Sequence, residues 1–322
     1  MKNRKIIFRT VLAILFAGFV ITGCKKKSDP VEVTPIDDAA QQTQSAADQA
    51  KVENESDQAM DDCNSALQGV STTRGMEALP CGATINAIDS ATGKIILNYD
   101  GTTICNGKIR SGSITIQLPH NGTQVTGWHT ALAKVTFTFN DYKVTRQVDQ
   151  KSITFNGTHT IINQSGGVVS DLKSVSDPSM QVIHKIKANM SLKFDDNTNS
   201  VSWGTQRMKV YNSPTMGVIQ VSEVGDSSIT TFPQINYLSM WGTNRAGESF
   251  KITTPAPIVY YVYGQCLYKP LSGKRVHLGV AHEITVTYGV DANGNAMTGC
   301  PTDWKANWTN AQGVAKLIIV PY

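Results

Sequence analysis

From Ala83 onward apolar residues recur with a period of two, and only turn-forming residues interrupt them. Lys94-Ile95-Ile96-Leu97-Asn98-Tyr99, Ser113-Ile114-Thr115-Ile116-Gln117-Leu118 and Lys134-Val135-Thr136-Phe137-Thr138-Phe139 alternate or run apolar. They carry the β-branched and aromatic enrichment expected of strands. The pairs Asn106-Gly107, Asn121-Gly122, Asn156-Gly157 and Asn293-Gly294 favour the positive backbone angles of tight hairpin turns. Further strands are expected over 182–194, 201–211, 227–237, 249–254, 257–263, 275–288 and 314–320. No helical pattern of the length needed for a βαβ crossover separates them, which argues against a parallel sheet. The expectation is an all-β body, an antiparallel meander forming a sandwich or a strongly curled sheet. Alternation such as Thr136-Phe137-Thr138-Phe139 predicts one buried and one wetted face.

The amino terminus follows different rules. Lys2, Arg4, Lys5 and Arg9 lead into an apolar run that ends at Ile21-Thr22-Gly23-Cys24. A charged start, a short apolar stretch and a small residue before the cut are the marks of a secretory signal, and the run is shorter than the roughly 20 apolar residues of a membrane-spanning helix. The segment resembles a bacterial lipoprotein signal peptide with its lipobox. The resemblance implies removal of residues 1–23, a diacylglycerol on the Cys24 sulfur and a third acyl chain, such as palmitate, on its amine. More than one chain is what makes such an anchor stable.

Four of the 29 basic residues and none of the 25 acidic ones lie in that signal, so the mature chain carries 25 of each. Nucleic-acid binding thereby loses its electrostatic support. Between Ser28 and Leu67 there are ten acidic residues and a single basic one, Lys51. Residues 24–75 are read as an acidic tether and amphipathic stalk, either helical or partly disordered. Ala46, Ala50, Met60, Cys63 and Leu67 would form one narrow apolar face if helical. Residues 76–322 form the body, as one domain or two related halves.

Five cysteines remain after Cys24: Cys63, Cys81, Cys105, Cys266 and Cys300. An exported chain meets an oxidising compartment, so pairing is expected. Cys105 and Cys266 are each followed, after five intervening residues, by Ser-Gly, at Ser111-Gly112 and Ser272-Gly273. That internal similarity favours Cys81 with Cys105 and Cys266 with Cys300, while a rival set pairs Cys63 with Cys81. The spacings are unlike those of zinc sites, and neither a metal nor a cofactor is expected.

The run Cys105 to Leu118, the hairpins over 135–144 and 153–162, and the segment from Val286-Thr287-Tyr288-Gly289 through Gly299-Cys300 to Asn310-Ala311-Gln312-Gly313 resemble uncharacterised cell-envelope lipoproteins of the Bacteroidota. The longer turn over 290–298 departs from that pattern. The resemblance implies an outer-membrane, lipid-anchored protein without an assigned activity. Lys25-Lys26-Lys27 directly after Cys24 favours the periplasmic face over the cell surface, and Asp89-Ser90-Ala91 is similar to the short O-glycosylation sequence of these organisms, with Ser90 as acceptor.

Motifs for catalysis are sparse. Gly-x-Ser-x-Gly elbows and phosphate-binding glycine loops are absent from the sequence. His277 and His282 lie five apart and would point to opposite faces of a strand, and the acids Asp141, Asp195, Asp196, Glu223 and Glu283 form no pair that sequence can identify. The run Asp195-Asp196-Asn197-Thr198-Asn199 reads as a hairpin loop rather than a calcium site. Trp304 and Trp308 are read as flanking a polar turn, where exposed indoles could stack on sugars. The expected role is therefore noncatalytic, structural or partner-binding; a glycan-binding module is the alternative, and a hydrolase with unrecognised carboxylates comes third.

Overall fold

The structure, a computed structural model, describes residues 44–49, 51–60, 79–89, 91–121, 124–175, 177, 179–195, 200–227, 235–267, 269–278, 283–310 and 312–322. Cys24, Cys63, Ser90, His282 and Asp196 lie outside them, as do the signal segment and most of the expected stalk. The fold is all-β; among the described residues there is one α-helix, α1, over residues 44–49 and 51–60, and a short 3-10 helix over Val169–Ser174.

The strands, in chain order, are β1 (Ala83–Asp89), β2 (Lys94–Cys105), β3 (Lys108–Gln117), β4 (His120–Asn121), β5 (Gln124–Val125), β6 (Ala133–Arg146), β7 (Ser152–Asn163) and β8 (Gln181–Phe194). They continue as β9 (Val201–Asn212), β10 (Ile219–Gly225), β11 (Leu238–Thr243), β12 (Ser249–Tyr263), β13 (Ser272–Leu278), β14 (Ile284–Val290), β15 (Asp303–Thr309) and β16 (Ala315–Pro321). Fourteen of them make a single antiparallel sheet running from β1 to β16 almost in sequence order; β4 and β5 form a separate hairpin. β10 and β11 share one position in the sheet. β10 pairs with the 207–212 half of β9 and β11 with its 203–205 half, and both pair with β12 on their other side.

Alternation is clearest in β6 and β8, where every second residue is buried over most of the strand. Following the ladders sideways traces a continuous row on the inner face: Ile95, Ile116, Phe137, His159, Ala188, Thr205, Met240, Ile252, His277, Ile284 and Trp308. The main core lies on this face and includes Leu97, Ile114, Phe139, Tyr142, Phe155 and Trp203, together with Val52, Ala59 and Met60 of α1. A smaller core near the carboxyl end joins Ile284, Val286, Ala306 and Trp308.

The sheet curls around α1. In a flat sheet, seven strand spacings of about 4.8 Å would set β3 and β13 more than 30 Å apart. Glu55 nevertheless pairs with Lys108 on β3, and Glu53, two residues earlier in α1, pairs with Arg275 on β13. Bulges supply the curvature. One line of them crosses β3, β6 and β7 at Gly112, Asp141 and Gly157. Gly112 has φ +84°, and a Cβ there would lie 2.1 Å from the Asp141 carbonyl oxygen, so close backbone approach requires glycine at this position.

Cys81 bonds to Cys105 and Cys266 to Cys300, as expected from the sequence. The first bridge pins the strand at one edge of the sheet across a separation of 24 residues. Replacing Cys81 and Cys105 together by serine is expected to lower the unfolding free energy by about 3 kcal/mol. Urea midpoints compared with and without reductant check this, because reductant opens both bridges and wild type and variant should converge only under it.

Candidate functional site

The centre of the curled sheet is ionic. Glu53, Ser56 and Asp57 of α1 face Arg207 and Lys209 on β9, Glu223 on β10, Arg275 on β13 and His159 on β7. Arg207, only 1% exposed, donates to Glu53, to Asp57 Oδ1 at 2.8 Å and to Glu223 Oε1 at 3.1 Å. Arg275 donates to both oxygens of Glu53 and to Glu223 Oε1 at 2.7 Å. Lys209 Nζ reaches Asp57 Oδ2 at 2.7 Å.

Three cations and three carboxylates thus close a neutral cluster, which is the condition under which buried charge is tolerated. Burial alone would raise the Asp57 carboxyl, but Arg207 and Lys209 hold it well below the usual carboxylate range. Glu223 is likewise lowered, burial being outweighed by Arg207 and Arg275. Burial would lower the Arg207 guanidinium, but Asp57, Glu223 and Glu53 drive it further into its charged form. Desolvation pushes the nearby Tyr260 phenol up, so it stays neutral.

His159 is fully buried and shares a hydrogen bond with Ser56 Oγ through Nδ1 at 3.1 Å. Burial lowers its pKa to about 3; Asp57 opposes this, while Arg207 and Lys209 reinforce it. The imidazole is neutral at pH 7. Its Nε2 has no hydrogen-bond partner among the described residues. The contact resembles half of a nucleophile and base pair, but Ser56 and His159 are both 0% exposed, and the pair joins helix to sheet without reaching solvent.

Two further pairs fix the ends of α1. Lys108 Nζ pairs with Glu55 at 2.7 Å and donates to Gln58 Oε1 at 3.1 Å. Asp48 receives Arg245 Nε at 2.6 Å and Nη2 at 2.9 Å in a bidentate pair. Asp48, Glu53, Glu55 and Asp57, the acids of the expected tether that lie on α1, are therefore anchors to the sheet. The apolar face expected from Ala46, Met60 and their neighbours is only part of the contact. Asp48, Gln49, Val52, Glu53, Glu55, Ser56, Ala59 and Met60 are the buried set.

The other residues singled out from sequence are dispersed. Trp304 and Trp308 lie on strand β15 rather than beside a turn. Trp308 is buried among Ile284, Val286 and Ala306, and Trp304 is half-buried against the same cluster. The Trp308 ring is occupied by packing, which corrects its reading as an exposed sugar platform. His277 is half-buried in the inner row between Ile252 and Ile284, with burial and then Arg275 lowering its pKa to about 3. Asp141 sits on a bulge and accepts Asn156 Nδ2 at 2.9 Å, Asp195 lies 3.9 Å from Arg245, and Glu283 is exposed. Among the described residues no group of three His, Cys, Asp or Glu side chains is placed to hold a metal.

Sequence reasoning singled out Glu223 only as an unpaired acid and missed Glu53, Asp57, Arg207, Lys209 and Arg275. One signal was available in β9, where Thr205, Arg207 and Lys209 occupy alternate positions on a single face. Comparisons with protein-family models, curated proteins and solved structures returned no match.

Proposed function

We propose that this chain is a lipid-anchored envelope protein with a noncatalytic structural or partner-binding role. The observation that carries the reading is the neutral ionic cluster at the centre of the sheet. Its charged groups are paired with one another, an arrangement that holds a helix in place and offers no reactive group to a substrate. The anchor rests on the lipobox-like Ile21-Thr22-Gly23-Cys24. A lysine run after Cys24 supports attachment to the outer membrane with the body in the periplasm.

Nineteen residues lie between Cys24 and Gln44, the first described residue of α1. Even fully extended they reach at most roughly 70 Å. On this reading the body works close to the membrane that holds it, and its partners are envelope components within that reach.

Cells fed an alkyne-bearing palmitate should incorporate it into the wild-type protein and leave the Cys24→Ala variant unlabelled. Label retained in the variant would sink the anchor. Protease treatment of intact cells should spare body peptides that become accessible after lysis; their release from intact cells would move the body to the cell surface.

A further inference from the structure

The sheet ends in two strands, β1 and β16, and they are built differently. β1 is bulged between Ile85 and Ala87, and Asp89 closes it with a charge. Such features blunt an edge against further pairing. β16 pairs with β15 in unbroken register over all seven residues from Ala315 to Pro321. Among the described residues no strand pairs with its other side. The run Ala315-Lys316-Leu317-Ile318-Ile319-Val320 has one charge and the β-branched, apolar composition of an interior strand.

The ladder shows which backbone groups are left open. Tyr322 donates to the Thr302 carbonyl at 3.0 Å, and Val314 accepts from the Asn310 N–H at 3.0 Å. Backbone groups alternate in direction along an antiparallel strand, so those of Lys316, Ile318 and Val320 face β15. Ala315, Leu317 and Ile319 turn both N–H and C=O to the free edge. Pro321, which has no N–H, falls on that same side, where a strand tolerates proline.

Side chains at this edge are also unfinished. Leu317 is 57% exposed and Val314 is 50% exposed. Ile318 is only half-buried against the cluster of Ile284, Val286, Ala306 and Trp308. The smaller core therefore runs out at the last strand.

A second copy of the same strand completes the edge. Placed antiparallel about a two-fold axis at Leu317, it sets Ala315 against Ile319 of the second copy, Leu317 against Leu317, and Ile319 against Ala315. Every outward N–H and C=O of these residues is then bonded. The exposed leucines meet on the outer face, and Lys316 lies opposite Ile318 rather than its own copy. Centring the pair on Lys316 would set two ammonium groups against each other. Centring it on Ile318 or Ile319 would bring Pro321 opposite a carbonyl that needs a donor. Pairing β16 with β1 of a second copy would meet the bulge, and such a head-to-tail contact closes only if its rotation allows a ring.

We propose that the protein forms a two-fold dimer in which the β16 strands of two copies pair and join their sheets into one. The dimer needs no acyl chain, so failure of this proposal leaves the anchor standing, and the reverse also holds.

The test uses the full chain. In its own membranes, Leu317→Cys in a Cys63→Ser background should be joined into a dimer by a short bismaleimide. Val148→Cys, 89% exposed on the β6–β7 turn, should not. Purified in detergent, wild type should sediment as monomer and dimer in proportions that follow dilution. Leu317→Lys places like charges at the axis and should raise the dimer dissociation constant about tenfold or more, with circular dichroism and melting midpoint unchanged. Val148→Lys, the same charge away from the edge, should keep the wild-type value. The proposal is overturned if wild type stays monomeric at every concentration or if Leu317→Cys crosslinks no better than Val148→Cys. It is equally overturned if species beyond the dimer form an open series, or if folded Leu317→Lys dimerises like wild type.

Discussion

Arg207→Met is expected to lower the unfolding free energy by about 5 kcal/mol, at the top of the range of about 3–5 kcal/mol for removing one partner from a buried ion pair. The reason is the number of charges it leaves behind. Arg207 is 1% exposed and bridges Glu53, Asp57 and Glu223. Without it three carboxylates share Arg275 and Lys209, and the neutral cluster acquires a net negative charge away from water. Methionine fills similar space, so the loss reports charge more than volume. Arg207→Lys keeps the charge but not the planar fork that reaches helix and sheet together, and should fall between the two.

A double-mutant cycle separates the ionic lock from general damage. Glu53→Gln removes one of the charges that Arg207→Met leaves unpaired, so the double variant should lose clearly less than the sum of the single losses. The measurement is the urea midpoint, with the slope checked to remain that of wild type. Additive losses would mean that the two side chains act independently, against the geometry. Limited proteolysis within residues 44–60 gives a second readout, since the lock holds α1 in the sheet.

The strands were legible where hydrophobicity and burial coincide. Val135, Phe137 and Phe139 alternate with hydroxylated residues, and all three are buried on the inner face of β6. β15 was not legible. Trp304 and Trp308 are four apart with Lys305 and Asn307 between them, a spacing compatible with strand and helix alike, and the apolar signal of the segment is weak. β10 and β11 were missed, the expected strand being placed over 227–237 between them; the sheet splits one position between the two, an arrangement set by partners in β9 and β12.

The site was illegible for a related reason. In β9 the pattern inverts: Thr205, Arg207 and Lys209 are buried, while Gln206, Met208 and Val210 are only half-buried. A hydrophobic period therefore points to the wrong face. Arg207 and Glu53 are 154 residues apart, and Arg275 and Glu53 are 222 apart. Nothing local marks an acid as having a distant cation, so an acidic helix reads as a solvated stalk. Only the curl of the sheet brings these charges together.

Acidification should reduce stability before the carboxylates of the cluster titrate. His159 and His184 are both buried in the sheet. Burial, reinforced by Lys209 and, for His159, by Arg207, lowers their pKa values to about 3 and about 4; Asp57 partly offsets the effect on His159. The unfolded chain restores an ordinary histidine pKa of about 6.5. Below that value the unfolded state binds protons that the folded state refuses, so stability falls as pH falls. Each such histidine costs about 1.4 kcal/mol per pH unit, or about 4 kcal/mol for the pair by pH 5, and His277, lowered to about 3 by burial and Arg275, adds a third loss of the same sign. Folded pKa values of Asp57 and Glu223 are also depressed, which adds losses only once the pH passes below the ordinary carboxylate range. Urea midpoints at half-unit steps should fall steadily from pH 6.5 to pH 4.5. His159→Gln removes one of three titrating groups and retains an amide able to bond Ser56, so it should flatten the slope by about a third. An equally steep profile in that variant would remove His159 from the account. Because Ser56 ties His159 directly to α1, a proton on the imidazole would add a third positive charge beside Arg207 and Lys209 and weaken the attachment of the helix.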